Sequence, residues 1–224
     1  MKAAVLFSGG KDSTLALFHA LNAGYIAKYL ITLFPRNRES YMFHKPDYWI
    51  AIEQAKLMGI PMVRKATSGE KEKELADLEA AIEKVKGKIE CVVTGAVASE
   101  YQRSRVHGIC RRLGLAPFSP LWHTPPERLW DMLLGNGFRV VMTQVACDGL
   151  GREWLGAEMT PEKLAELKAL SARYKFNLAG EGGEFETLVV DCPLFAKPLK
   201  LGRTRIEWDE KTSSGSLVFM KPDQ

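Results

Sequence analysis

The chain has 224 residues, of which 46% are hydrophobic and 26% charged, with a formal net charge of +4. That length and balance fit a soluble globular protein of one large domain, or of a domain plus a smaller appendage, and the charge is too mild for a dedicated nucleic-acid binder. No apolar run approaches a membrane span, no signal peptide is recognised, and the four cysteines (Cys91, Cys110, Cys147, Cys192) form no Cys-x-x-Cys pair, which together predict a reduced, cytoplasmic protein.

Residues 3–7 predict a strand, and Ser8-Gly9-Gly10-Lys11-Asp12-Ser13 turns it into a helix with Leu15, Phe18 and Leu21 inward. Adjacent glycines let backbone N–H groups approach a phosphate closely, and a helix N-terminus adds its positive dipole end. Lys11 brings a full positive charge, and Ser8 and Ser13 bring hydroxyl donors. The Walker A spacing does not fit, because here the glycines abut the lysine and Asp12 stands where that loop places its metal-holding hydroxyl. The bland alternative is an ordinary strand–turn–helix entry with Lys11 and Asp12 solvated.

Gly24 predicts the end of this helix, and residues 29–34 predict a buried strand stopped by Pro35. A loop from Arg36 to Pro46 leads to a helix over about residues 47–58, which Gly59 ends. Residues 61–65 predict a third strand, the Lys/Glu-rich stretch 70–88 an exposed helical face, and 89–94 a fourth strand entering Gly95. This alternation predicts an α/β domain with a parallel sheet covered by helices on both faces. Ligands of such sheets sit outside the carboxyl ends of the strands, so the loops after Phe7, Phe34 and Thr94 converge on one crevice. At its edge Leu33, Phe34 and Met42 are candidates to flank an adenine ring, and His44 to meet nucleotide or substrate. For the apolar three the alternative is plain core. Gly95 permits a tight exit from the fourth strand. Ser99, Gln102, Arg103 and Arg105 then begin a helix facing the crevice, its arginines either phosphate partners or surface salt bridges.

Pro117, Pro120, Pro125 and Pro126 read as a connection, with a domain boundary near residue 122. The expected division is an α/β nucleotide-binding domain over 1–122 and a smaller α+β domain over 123–224. Thr124-Pro-Pro-Glu127 predicts a capping box on a helix reaching about Leu134. Residues 138–146 predict a strand, 160–174 a helix, and 188–190, 199–208 and 216–220 three further β-like stretches. Between them stands Glu181-Gly-Gly-Glu184-Phe-Glu186-Thr187. Three carboxylates with paired glycines do not make a core, and in an extended segment Glu184 and Glu186 share a side. Such a cluster can hold magnesium, position an amine or receive a partner's basic group, or it is a solvated acidic turn.

The Ser8–Ser13 run resembles the PP-loop of the N-type ATP pyrophosphatases. The Glu181–Thr187 run resembles the Glu-Gly-Gly-Glu-Phe/Tyr-Glu-Thr signature of the diphthine–ammonia ligase family within that group. Thr94-Gly-Ala-Val-Ala-Ser99-Glu-Tyr101-Gln102-Arg103-Ser-Arg105-Val also resembles that family's middle segment, and Pro120-Leu-Trp122 follows in place. The resemblance implies an N-terminal domain of the adenine nucleotide α-hydrolase-like (HUP-like) fold. It implies that ATP is cleaved between its α- and β-phosphates, with magnesium, to adenylate the carboxylate of diphthine on translation elongation factor 2. Free ammonium then gives the amide, with AMP and pyrophosphate released.

On this reading Ser8, Gly9, Gly10, Lys11, Asp12 and Ser13 hold ATP together with Leu33, Phe34, Met42 and Gly95. Lys11, Asp12, Glu184 and Glu186 are the catalytic candidates, and Asp12 is the candidate magnesium ligand. Ser99, Tyr101, Gln102, Arg103, Glu181, Glu184, Glu186 and Thr187 face the substrate. The quaternary ammonium of diphthine calls for a carboxylate or aromatic neighbour, for which Glu186, Tyr101 and Trp122 are candidates. Elongation factor 2 and ammonium are the expected partners, a homodimer is a candidate assembly, and neither a membrane nor a nucleic-acid substrate is expected. The rivals are a PP-loop ligase acting on a small carboxylate such as a corrinoid precursor, a tRNA-modifying PP-loop enzyme and a non-catalytic nucleotide sensor.

Overall fold

The computed structural model describes residues 1–35, 48–68 and 71–220. The chain forms two compact units, Met1–Trp122 and His123–Gln224.

In the first unit strands and helices alternate: β1 (Lys2–Leu6), α1 (Lys11–Asn22), β2 (Ile26–Pro35), α2 (Tyr48–Met58), β3 (Met62–Thr67), α3 (Lys71–Glu83), β4 (Cys91–Val93), α4 (Glu100–Leu113) and β5 (Ala116–Phe118). All five strands are parallel, in the order β3-β2-β1-β4-β5. The chain winds outward from β1 to β3, then returns to the other side of β1. That reversal opens a crevice between the carboxyl ends of β1 and β4.

Burial on both faces explains the near-continuous apolar strands. Ala4, Ile31, Leu33 and Val92 pack on one face against Leu78 and Ile82 of α3 and Val106 and Ile109 of α4. Ala3, Val5, Leu30 and Val93 alternate to the other face and are equally buried. α1 buries Leu15, Ala16, Leu17 and Ala20, whereas Phe18 and Leu21 are only half-buried. The inward stripe predicted from spacing is thus rotated, because α1 packs against β1, β2 and β4 together. Gly24 and Gly59, with φ of +82° and +66°, end α1 and α2 as read.

Two expectations need correction here. Ala116–Phe118 is a fifth strand where the prolines suggested a connection. It lies at the sheet edge, where a proline is tolerated. The Lys/Glu-rich stretch is not simply an exposed face, because α3 buries Glu74, Leu78, Ala81 and Ile82.

The second unit contains α5 (Pro126–Gly135), β6 (Arg139–Val145), α6 (Pro161–Tyr174), β7 (Phe185–Asp191), β8 (Thr204–Asp209) and β9 (Ser214–Phe219). Its sheet is antiparallel, in the order β7-β6-β9-β8. Leu129, Trp130, Leu133, Met142 and Val189 are fully buried, and the Trp130 indole donates to the Leu178 carbonyl at 2.8 Å. The capping box does not form. Pro125 is the N-cap of α5, and no side chain caps the helix. Thr160 does cap α6, accepting from the Lys163 N–H at 3.2 Å. β7 begins at Phe185 rather than Leu188, which carries Glu186 and Thr187 into the sheet.

Candidate active site

The loop after β1 leaves from a fixed point. Phe7 N–H donates to the Ile31 carbonyl at 2.9 Å, and Thr32 Oγ1 donates to the Phe7 carbonyl at 2.6 Å. Gly9 then adopts φ +85°, and a Cβ there would stand 2.2 Å from Gln54 Oε1. Both facts demand glycine. Gln54, fully buried on α2, donates its Nε2 to the Gly9 carbonyl at 3.0 Å. Ser13 is buried and closes the loop from inside. Its Oγ accepts from the Ser8 N–H at 3.2 Å and donates to the Gly10 carbonyl at 3.2 Å. Thr14 Oγ1 donates to the same carbonyl at 2.8 Å. Of the two serines assigned to phosphate, Ser8 is the exposed one, and Ser13 serves the loop itself.

Gly10 is the N-cap of α1, and no side chain caps it. Uncapped first-turn N–H groups are the arrangement that meets an anion. Lys11 is only 4% exposed, with its Nζ 2.8 Å from Asp12 Oδ2. The other oxygen, Asp12 Oδ1, is buried without a hydrogen-bond partner in the protein. A buried carboxylate oxygen of that kind fits a cation or a ligand donor. Among the described residues no group of three or more His, Cys, Asp and Glu side chains could hold a metal.

The loop after β4 touches this loop through Gly95. A Cβ on Gly95 would lie 2.8 Å from the Asp12 carbonyl carbon and 2.9 Å from both Asp12 O and Ser13 N. Its φ is not in the left-handed region, so the glycine serves close backbone approach rather than a tight exit. Ser99 caps α4, its Oγ accepting from the Gln102 N–H at 3.3 Å. Tyr101 and Gln102 are exposed. The Arg105 guanidinium lies 3.5 Å from the centre of the Tyr101 ring, and that of Arg103 lies 4.6 Å from the Trp122 ring. Arg103 also pairs with Glu100 at 3.5 Å. Each ring offered for a quaternary ammonium therefore already carries an arginine on one face. His107 lies 3.3 Å from Ser119 Oγ, and burial, followed by the Arg103 charge, holds its pKa below the ordinary value. Leu33 belongs to the core against α3 and α4, and Phe34 is half-buried. Met42 and His44 lie outside the described residues.

In the second unit Gly180 and Gly183 take φ of +73° and +84° and bend the chain before β7. Glu184 is drawn into this bend. Its Oε1 accepts from the Asn177 N–H at 2.9 Å and its Oε2 from the Gly182 N–H at 2.8 Å. The side chain predicted to be catalytic thus holds its own loop. Burial, followed by the charges of Glu184 and Asp148, pushes the nearby Cys147 thiol up to about 11. Glu186 parts from Glu184 and stands opposite Gln144 of β6, which pairs with Ser216 of β9, itself opposite Glu207 of β8. These four form one polar row across the sheet. Gln144, Ser214, Ser216 and Glu207 also line an open depression of about 340 Å³. Thr187 follows Glu186 on the strand and points to the opposite face, while Glu181 is half-buried in the bend.

Sequence reasoning missed Gln54, Gln144 and Ser216. Only Gln54 left a readable signal, a lone amide in the apolar stripe of Ile50, Ala51 and Ala55.

The family described as diphthamide synthase N-terminal domain matches residues 1–117, and that described as diphthamide synthase C-terminal domain matches residues 125–219. A Schizosaccharomyces pombe protein named diphthine–ammonia ligase is 33% identical over 99% of this chain, which spans 39% of that relative's length. Proteins of the same name from Mus musculus and Homo sapiens are 32% and 31% identical over 89% of this chain and 82% of their own length. A solved structure described as a predicted subunit of tRNA methyltransferase from Methanocaldococcus jannaschii aligns with 86% of this chain and 98% of its own. Its TM-score is 0.48 at 19% identity.

Proposed function

The chain belongs to the diphthamide synthase family, and on that premise we propose that it is the ATP-dependent ligase that amidates diphthine on translation elongation factor 2. The observation that carries this reading is the Ser8–Ser13 loop, uncapped at the head of α1 and in backbone contact with the loop after β4.

ATP enters as a substrate. Its phosphates meet the Gly9–Gly10 backbone, the start of α1 and Lys11. A carboxylate is a poor electrophile until it gains a good leaving group, so the diphthine carboxylate attacks the α-phosphorus and pyrophosphate departs. Free ammonia then attacks the acyl-adenylate, the C–O bond to AMP breaks, and the amide forms with loss of a proton to solvent. Negative charge grows on the α-phosphoryl group and on pyrophosphate, and Lys11 with the loop amides opposes it by fixed electrostatics. We assign Arg103 and Arg105, held against aromatic rings, to the same service. Magnesium suits Asp12 Oδ1 and would supply further neutralisation of phosphate charge. No enzyme nucleophile is required.

We assign Glu186 and Glu181 to the cationic head of diphthine or to ammonium, and Glu184 to shaping the loop that carries Glu181. A cytoplasmic setting follows from the proposed partner. Among the described residues no helix is long and apolar enough to cross a membrane.

The test incubates the protein with Mg-ATP, ammonium and diphthine-bearing elongation factor 2, separates the nucleotides and weighs the factor. AMP together with a factor lightened by exchange of hydroxyl for amine supports the ligase. AMP with an unchanged factor points to a different carboxylate, and ADP or no turnover contradicts α,β-cleavage.

A further inference from the structure

Gln54 has no part in the reaction as described above, yet it is fully buried beneath the loop that holds the phosphates. A buried amide is costly unless its hydrogen bonds are made. One of them is the 3.0 Å bond from Nε2 to the Gly9 carbonyl. We propose that Gln54 is a positioning residue for the phosphate loop. By drawing the Gly9 carbonyl toward α2 it turns the Gly9–Gly10 peptide so that the Gly10 N–H faces the bound triphosphate. The inference rests on the nucleotide reading of this loop.

Three observations carry it. In a trans peptide the C=O and N–H point opposite ways, so tying the Gly9 oxygen to α2 sends the Gly10 N–H away from α2. That N–H lies 3.4 Å from Oγ of the exposed Ser8, too long for a good hydrogen bond and open to a better acceptor. A peptide between two glycines has little conformational preference of its own, so a side chain must choose its orientation. Finally, the space a Gly9 side chain would fill is taken by the Gln54 amide, with Oε1 only 2.2 Å from the position of the missing Cβ. Glycine admits the amide, and the amide fixes the glycine's peptide. On the next peptide Ser13 and Thr14 hold the Gly10 carbonyl, so both planes flanking Gly10 are set.

Gln54→Met keeps the length and apolar fit of the side chain and removes its donor. The affinities of ATP and of adenosine, which lacks phosphates, are measured by calorimetry for both proteins, with Tm and the rate of pyrophosphate release alongside. The preference for ATP over adenosine should fall about tenfold, the loss expected for one hydrogen bond, with adenosine affinity unchanged and kcat reduced. Gln54→Glu keeps the shape but turns a carboxylate toward the Gly9 oxygen, and its preference should fall further. A folded variant with lower Tm and an unchanged ATP preference would overturn the inference and leave Gln54 a packing residue. Failure of both variants to fold would overturn it in the same way. Wild-type protein that does not prefer ATP over adenosine would instead remove the nucleotide reading of the loop, and this inference with it.

Discussion

Gly95→Ala adds a single methyl group at the point where two loops meet. Backbone strain is not the issue, since Gly95 lies outside the left-handed region. The new Cβ would stand 2.8 Å from the Asp12 carbonyl carbon, whereas ordinary contact begins at 3.4 Å, so the loops must part by about 0.6 Å. A flexible side chain would rotate away, but the three nearest atoms are all backbone at the head of α1. Overpacking of this kind costs about 1–3 kcal/mol. At about 2–4 °C per kcal/mol for a chain of this size, Tm should fall by several degrees. Catalysis is more sensitive, because a misplacement of about 1 Å can cost roughly 100-fold. Half that shift should lower kcat/KM for pyrophosphate release about tenfold. Gly24→Ala is the control: it has φ +82° but nothing within 4 Å, and should cost about 1 kcal/mol of stability through its backbone while sparing activity. Thermal melts and a pyrophosphate-release assay on both variants decide the matter. Wild-type Tm and kcat/KM in Gly95→Ala would refute the contact between the loops.

Lys11→Met should reduce pyrophosphate release by about 100- to 1,000-fold, the scale for losing one preorganised donor to developing charge; a loss of less than tenfold in steady-state kinetics would remove Lys11 from the chemistry. Glu184→Gln leaves one backbone N–H facing an amide NH₂ and should destabilise by about 1–3 kcal/mol in denaturant titration. Glu186→Gln should leave stability alone and slow turnover of the diphthine-bearing factor, and the reverse pattern would exchange their roles. Hydrogen bonds from Arg112 and Arg139 hold the Glu79 and Glu158 carboxyls below their ordinary 4.5. Their stabilisation is therefore present above that value and lost as pH falls through the lower folded values. Acid unfolding of a Glu79→Gln/Glu158→Gln double variant should be less steep below pH 4.5 than that of wild type, by a small margin that salt erases because both pairs are exposed.

The strand–loop–helix entry at Ser8–Ser13 and the alternating strands were legible because their signals are local: apolar runs, adjacent glycines and a change of period at Gly10. Contacts distant in sequence were not. The Gln54–Gly9 bond joins residues 45 apart, and only the amide's position in an apolar stripe betrayed it. β5 has three residues, two of them exposed, and too few to show alternation. Spacing put Glu184 and Glu186 on one side, but the turn through Gly180–Gly183 ends at Glu184 and β7 starts one residue later. The extended geometry assumed for the pair therefore does not apply. The Tyr101–Arg105 stack is an i,i+4 pair on α4 and was readable in principle. The ring that the sequence offers to a ligand's cation already faces the protein's own.

The pairing of Lys11 with Asp12 explains how one loop can be both buried and charged. A lysine at 4% exposure does not stay ionised cheaply without a counter-charge. Asp12, the next residue, supplies one at 2.8 Å. The same carboxylate keeps Oδ1 without a hydrogen-bond partner in the protein, and on the proposed function a cation accompanying the phosphates would bind there. On the proposed function Lys11 would meet the phosphates from a position already desolvated, where a charge acts at greater strength than in water. Neutral groups do the remaining work of the loop: Ser13, Thr14 and Gln54 aim its peptides, and Gly95 fixes where the neighbouring loop meets it. Orientation is thus set by dipoles and close contact before any ligand arrives. On the proposed reaction, Lys11 opposes the developing charge from a position that Asp12 already fixes.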